Sequence, residues 1–296
     1  MENFSRETYV SSIMAIEGSS VNKIISQQDK DKYIDAHIIN LSINTPIYRI
    51  FKIERLISTL KEKKLCLVKP KMWDDPFENF LLNATGVLFN GTEISFESIR
   101  EQYYGQCWSL KKECDGLWRN YTSNLCRKCT ENDFNQRQSK YSISVKVKTT
   151  VGKLMNAFYD ESNPFHSLCY FMGKVDYCDM EDIVECLKSV NVVDNTNINQ
   201  ILSLLKKRSS FSYEEEVRLI FCRPEEVIEN VKNSWDPCSD IFEFQIEPND
   251  LFDEIEFDPW VDENIYNKFK EQFVQYYNGS IVKSKLYEHS FFKIKL

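Results

Sequence analysis

Glycine and proline are scarce in this 296-residue chain, at eight each, and their scarcity excludes several functions. Neither GxGxxG nor GxxxxGK[ST] occurs, so the chain carries no dinucleotide fingerprint and no phosphate-cradling loop of those kinds. Histidine is scarcer still, with only His37, His166 and His289. None of them sits in a motif, and HExxH and GxSxG are both absent. Histidine-dependent hydrolysis is thus a poor fit, and chemistry here falls to carboxylates, arginine and hydroxyls. No apolar run approaches the roughly 18 residues of a membrane helix. The opening MENFSRETYV has neither the basic segment nor the apolar run of a signal peptide, so a cytoplasmic protein without a membrane partner is expected. Positive charge is in deficit too. The net charge is −8 and the pI about 5.2, which excludes a global basic field for nucleic acid or anionic lipid. The 37 Lys and Arg residues leave room for a local basic groove.

What is present is a core. Hydrophobic residues make up 42% of the chain and aromatics 14%, which excludes wholesale disorder. In a cytoplasmic setting the ten cysteines read as reduced thiols. Cys126-Arg-Lys-Cys129 has zinc-knuckle spacing, but six residues separate Cys107 from Cys114, too many for a matching pair. Buried or incidental thiols are the simpler reading, and zinc is left open.

Segments 47–51, 64–68, 105–110, 141–148, 170–177, 241–246 and 280–284 read as strands, the fourth by clean alternation. Helical spacing marks 52–63, where Ile53, Leu56, Ile57 and Leu60 share one face, and also 94–104, 180–190, 197–208 and 262–277. The mixture lacks regular βαβ alternation. It predicts an α+β fold: one domain over 46–296, a mixed, mostly antiparallel twisted sheet flanked by helices, an N-terminal helical extension over 1–45, and an irregular insertion near 111–140.

Four stretches carry candidate chemistry. SFSYEEEVRLIF (210–221) drives three carboxylates into an apolar segment. Read as a strand throughout, it puts Glu214, Glu216 and Arg218 on one side and Glu215, Val217, Leu219 and Phe221 on the other. The polar row is then either the wet face of an edge strand or a cleft wall bearing two carboxylates about 7 Å apart. Arg49, beside Tyr48 in a segment suited to burial, needs a partner for its charge, and its planar fork suits phosphate or carboxylate. Ser109, after Cys107 and Trp108, ends a strand. In WDDPFE (73–78), Asp74 or Asp75 suits the cap of a turn. Asp74, Asp75 and Glu78 with Glu214 and Glu216 also make a possible set of metal ligands.

Taken together, YRIFKIERLISTLKEKKLCLVKPKMWDDPFE, CWS with GLWRNY, YFMGKVDY, FSYEEEVRLIF and IVKSKL resemble the prokaryotic family called domain of unknown function 2971, over roughly residues 46–287. A more distant resemblance is to the arginine–serine–glutamate ADP-ribosyltransferases, including toxins that modify DNA. That likeness implies an ADP-ribosyltransferase-like split sheet and an enzyme that takes NAD as substrate without a metal. Arg49 would hold the NAD phosphates or ribose, with Tyr48, Trp108 and Arg218 beside the cofactor. Ser109 would support the catalytic Glu216, and Glu214 would position or deprotonate a protein or nucleic-acid acceptor. The chain departs from the pattern in having Cys-Trp-Ser-Leu where Ser-Thr-Ser is usual. The implied roles are a toxin or phage-defence effector, or else a non-catalytic domain that senses a ligand or phage protein.

Overall fold

The structure, a computed structural model, describes residues 27–73, 75, 77–122, 143–159, 170–189, 198–222 and 239–288. Asp74, Cys126, Cys129, His166, His289 and the first 26 residues lie outside them. Along the chain the strands are β1 (Ile38–Ile39), β2 (Pro46–Lys52), β3 (Lys64–Val68), β4 (Thr85–Val87), β5 (Glu93–Ser95), β6 (Tyr103–Ser109) and β7 (Ser144–Thr150). They continue with β8 (Tyr170–Lys174), β9 (Asp176–Cys178), β10 (Lys206–Arg208), β11 (Glu216–Cys222), β12 (Ile241–Gln245), β13 (Glu254–Phe257) and β14 (Ser280–Lys283). The fold is mixed α+β with mostly antiparallel pairing, as expected. No helix among the described residues is long and apolar enough to cross a membrane.

The chain forms two compact units, each assembled from separated stretches. In the second unit (Ile47–Lys64, Lys111–Thr149 and Ile246–Leu296) the strands run in the order β2-β7-β13-β14. The amphipathic helix expected after β2 spans Ile53–Glu62 and buries Ile53, Leu56, Thr59 and Leu60. It ends where Lys63 turns left-handed at φ 54° and donates its N–H to Thr59 O. Helix Glu263–Phe273 starts at Asp262, whose side chain accepts the Asn264 N–H at 2.9 Å, a side-chain N-cap.

The first unit (Met1–Pro46, Leu65–Leu110 and Thr150–Gln245) is built on β1-β8-β11-β6, with β3 pairing both β6 and β12. Its central strand is β11, antiparallel to β6 on one side and to β8 on the other. The edge-strand reading of EEEVRLIF therefore does not hold. Every residue of β11 is buried, the charged ones included. Alternation does divide its apolar residues as expected. Val217, Leu219 and Phe221 share a face, at 0–1% exposure. Phe221 there meets Phe158 and Phe242 with ring centroids 5.3 and 4.8 Å apart.

The opposite face of β11 carries Glu216, Arg218, Ile220 and Cys222. Ile220 and Cys222 join Phe171, Tyr103, Leu204 and Leu205 in a second apolar cluster. Two glycines flank this face of β11 on the neighbouring strands. Gly173 is the register partner of Arg218, and Gly105 that of Ile220, so both lie on the arginine's face. A Cβ at Gly105 would stand 2.6 Å from Trp73 Cζ2, and one at Gly173 would overlap the Leu205 side chain. Trp73 in turn lies over the Arg218 guanidinium, 4.3 Å from ring centroid to Cζ. The missing side chain at Gly105 is thus what lets the indole close over the buried charge.

Several local expectations fail for physical reasons. Segment 94–104 is not one helix: β5, the short helix Glu97–Arg100 and β6 follow one another. The β4–β5 hairpin turns through Gly91 at φ 82°, a conformation that glycine adopts without penalty. Segment 197–208 is helical only over Ile198–Leu204, after which Lys206–Arg208 is strand. Within the expected irregular insertion, Asp115–Tyr121 is a helix.

We expect Gly105→Ala to destabilise the protein by about 1–3 kcal/mol, the usual cost of overpacking. Urea titration measures the loss, and a red shift in tryptophan emission would report displacement of Trp73.

Candidate functional site

The acidic run is not continuous strand. Residues Ser209–Glu214 form a 3₁₀ turn, and Glu215 sits left-handed at φ 41° before β11 begins at Glu216. Glu215 thus does not point into the core with Val217, and Glu214 is not two strand positions from Glu216. The left-handed residue places its carbonyl to accept the Leu110 N–H at 2.9 Å, which ties the turn to the end of β6. The side chains of Glu214 and Glu216 nevertheless converge, because one ammonium draws them together.

That ammonium is Lys207 Nζ, on β10. It lies 2.7 Å from Glu214 Oε2, 2.9 Å from Glu216 Oε2 and 2.9 Å from Glu78 Oε1. Phe211 lies beneath it, 4.8 Å from ring centroid to Nζ. The Arg218 guanidinium completes the cluster from within the sheet. Its Nε donates to Glu216 Oε1 at 2.7 Å, and its Nη2 reaches Glu216 Oε2 at 3.2 Å and Glu78 Oε1 at 3.1 Å. Its Nη1 donates to Leu204 O at 2.6 Å. Arg218 has no solvent exposure, and Glu216 has 3%. A buried guanidinium demands acceptors around its fork, and these carboxylates supply them.

Ser109 and Glu216 are direct register partners across β6 and β11, so their side chains share a face. Ser109 Oγ donates to Glu214 O at 2.6 Å and so fixes the backbone just before the left-handed residue. Cys107, the register partner of Arg218, donates its thiol to Glu216. Tyr177 on β9 closes the far side, its hydroxyl accepting the Glu216 N–H at 2.8 Å. Asp75 caps its turn as expected, accepting the Phe77 N–H at 3.1 Å. Asp75 also holds Arg208 through both carboxylate oxygens, at 2.8 and 3.1 Å.

Burial pushes the Glu216 carboxyl toward its neutral form. The Arg218 charge and hydrogen bonds, with Lys207, outweigh that and bring its pKa down to about 2. Burial likewise works against the Lys207 ammonium, but the Glu216 charge and the Glu214 hydrogen bond hold its pKa above the usual value. Glu78 goes the other way: burial raises its pKa despite Arg218 and Lys207. Desolvation and the Glu216 charge push the Cys107 thiol well above its ordinary range, so it is a proton donor here and a poor nucleophile. The arrangement amounts to one fixed carboxylate held in its ionised form beside a second whose proton affinity burial raises.

Of the expected site residues, Glu214, Glu216, Arg218 and Ser109 come together in the first unit. Trp108 sits in the same strand but on the other face, opposite Val217, with its indole N–H on Gln106 Oε1 at 2.8 Å. Tyr48 and Arg49 belong to the second unit. There Tyr48 is buried, and the Arg49 guanidinium lies over Phe51, 5.2 Å from Cζ to the ring centroid. Among the described residues no group of three His, Cys, Asp or Glu side chains is arranged to hold a metal. Glu78, Glu214 and Glu216 do meet, but around Lys207. The sequence reading missed Lys207 altogether, and the only signal for it was the KKR run after an apolar helix.

No protein-family model matches the chain, and no curated protein matches it. Solved structures that it resembles include Thermus sp. 2.9 DarT in complex with carba-NAD+, at 11% identity and a TM-score of 0.34, covering 83% of this chain and 98% of that one. The same protein in complex with NAD+ gives 10% identity and 0.31, with the same coverage. In complex with ADP-ribosylated ssDNA it gives 11% and 0.32, over 82% of this chain and 95% of that one.

Glu216 titrates from 4.5 in the unfolded chain to about 2 in the folded one. A lowered carboxyl stabilises the fold above its unfolded value and loses that contribution as pH falls toward the folded value. The excess stability of wild type over Glu216→Gln should therefore hold steady above pH 4.5 and fade between 4.5 and about 2, as read by urea melts at several pH values. Arg218→Met strands buried carboxylates and should cost about 3–5 kcal/mol, against well under half that for the more exposed Glu214→Gln.

Proposed function

We propose that the chain is an NAD-dependent ADP-ribosyltransferase or NAD glycohydrolase, with Glu216 as its catalytic carboxylate. One observation carries the reading: Ser109 and Glu216, the supporting serine and the glutamate of the arginine–serine–glutamate pattern, are direct cross-strand partners on one face of the central strand. More than a hundred residues separate them in sequence, so the pairing is a product of the fold.

The chemistry suits the cluster. Cleavage breaks the bond between the ribose C1′ and the nicotinamide nitrogen, and its electron pair leaves on nicotinamide. Positive charge develops at C1′, in an oxocarbenium-like state related to that of glycoside hydrolysis. A carboxylate already ionised and held by Arg218 meets that charge without reorganising, which is the most effective form of electrostatic stabilisation. Water or an acceptor hydroxyl then attacks C1′ and gives up its proton, and Glu214, the last residue of the 3₁₀ turn, is proposed as the carboxylate that accepts it. Arg49 is proposed as the ligand for the NAD phosphates on the chemistry of its planar fork.

A second reading, a non-catalytic domain that senses a ligand or phage protein, is favoured by the density of the ion pairs. Arg218, Lys207 and Cys107 all donate to Glu216, as they would in a purely structural cluster.

The pure protein incubated with NAD, alone and with protein or single-stranded DNA acceptors, separates the two. Nicotinamide release is expected, and Glu216→Gln should lower it by about 100-fold or more, in line with the loss of one fixed electrostatic group. Ser109→Ala, which spares the ion pairs, should lower it by a smaller factor. If wild type and the Lys207 variants below neither bind NAD nor release nicotinamide, the enzymatic reading is wrong.

A further inference from the structure

The Glu216 carboxylate has no room for a substrate in this structure, and the count of donors shows which one must move. A carboxylate offers about four acceptor sites. Four donors use them here: Arg218 Nε, Arg218 Nη2, Lys207 Nζ and the Cys107 thiol. A ribose hydroxyl can bond Glu216 only if one of them leaves.

Three of the four are fixed. Arg218 belongs to β11 itself, has no solvent exposure, and is pinned through Nη1 to Leu204 O and by the overlying Trp73. Cys107 belongs to β6, directly opposite. Lys207 differs in every respect. It stands on β10, a three-residue strand whose ladder partner is β9, outside the sheet that holds Glu216. Its ammonium reaches the cluster on a four-carbon stem, with enough rotamer freedom to swing out while the backbone stays in place.

We infer that Lys207 is a tethered counter-ion that closes the site, and that Glu216 takes a ribose hydroxyl only when this ammonium withdraws. The inference rests on the NAD-cleaving reading and adds its regulation. In the closed state the ammonium stands where a cationic centre would be stabilised, ringed by Glu78, Glu214 and Glu216. When it withdraws, Arg218 still holds Glu216 and Glu78, and Glu214 loses its ion pair. Glu78 then relieves the excess charge by taking a proton, which burial already favours at that carboxyl. Withdrawal therefore need not unfold the cluster.

Two measurements on the full chain test this. In the first, nicotinamide release from NAD is compared for wild type, Lys207→Met and Lys207→Arg. Lys207→Met should release nicotinamide at least about tenfold faster than wild type, a difference of about 1.4 kcal/mol, and Lys207→Arg, which keeps the charge, should release less than Lys207→Met. Where nicotinamide is released at all, a folded Lys207→Met no faster than wild type overturns the gate. The second needs no NAD: carbodiimide coupling of glycinamide to carboxylates, mapped by mass spectrometry. Glu216 should be protected in wild type and labelled in Lys207→Met, or in Lys207→Gln if the methionine variant does not fold. Equal labelling overturns the gate whatever the NAD result. A Glu216 that becomes labelled while no protein releases nicotinamide upholds the gate and sinks the enzyme reading, so the two failures are distinct.

Discussion

A guanidinium with no access to water must find acceptors within the protein, and around Arg218 that requirement determines the neighbourhood. Its fork takes Glu216 from its own strand, Glu78 from the turn after Trp73, and the Leu204 carbonyl from the end of a helix. Its flat face takes Trp73. A side chain at Gly105 would collide with that indole, and one at Gly173 with Leu205. Removing any one acceptor leaves charge stranded in a region of low dielectric, which costs more than an equivalent apolar cavity. The turn bearing Glu78, the helix ending at Leu204 and strand β11 are therefore held in mutual register by one side chain. Apolar packing alone, being non-directional, would allow more latitude.

The same constraint separates what the sequence discloses from what it hides. Period-two alternation places Val217, Leu219 and Phe221 on a core face because burial there is a simple matter of side-chain direction. It fails at Glu214 and Glu215, where the period presumes a strand that has not yet begun. The turn is set by tertiary bonds instead: Ser109 Oγ to Glu214 O, and Leu110 N to Glu215 O. The KKR run shows the same override. Its residues extend a helical pattern in sequence, but each finds its carboxylate elsewhere: Lys206 with Asp176, Lys207 with the cluster, and Arg208 with Asp75. Ion pairs with carboxylates outside the helix outweigh a helix propensity difference of a few tenths of a kcal/mol per residue. Lys207 was hidden for that reason, while Glu216 and Ser109 stood out by pattern.

A second lysine shows how far the design is general. In the other unit Lys146 is also buried. It pairs with its register partner Glu256 at 2.5 Å, lies near Glu113 at 3.7 Å, and is covered by Tyr48 and Trp118. Both lysines thus combine carboxylates with aromatic faces. They differ in how they are anchored. Lys146 is embedded in the sheet itself, between β2 and β13, and donates to the Lys112 carbonyl besides. Lys207 reaches into its cluster from outside the sheet. The first arrangement reads as architecture, whereas the second leaves a charge that can be displaced.

Charge balance decides what kind of chemistry the Glu216 cluster could serve. Three ionised carboxylates face two cations, so the cluster carries one negative charge, and it stays negative when Lys207 withdraws and Glu78 takes a proton. A reaction that builds negative charge, such as attack on a carbonyl or transfer of a phosphoryl group, would be opposed by that field. Departure of a neutral nicotinamide from ribose builds positive charge at carbon, and the same field favours it. The preference rests on Glu216, which stays ionised across the physiological range. The ion pairs that make the cluster look structural are thus what keep its carboxylate charged, dry and in place. A stabilising network and a catalytic one differ here by a single removable donor.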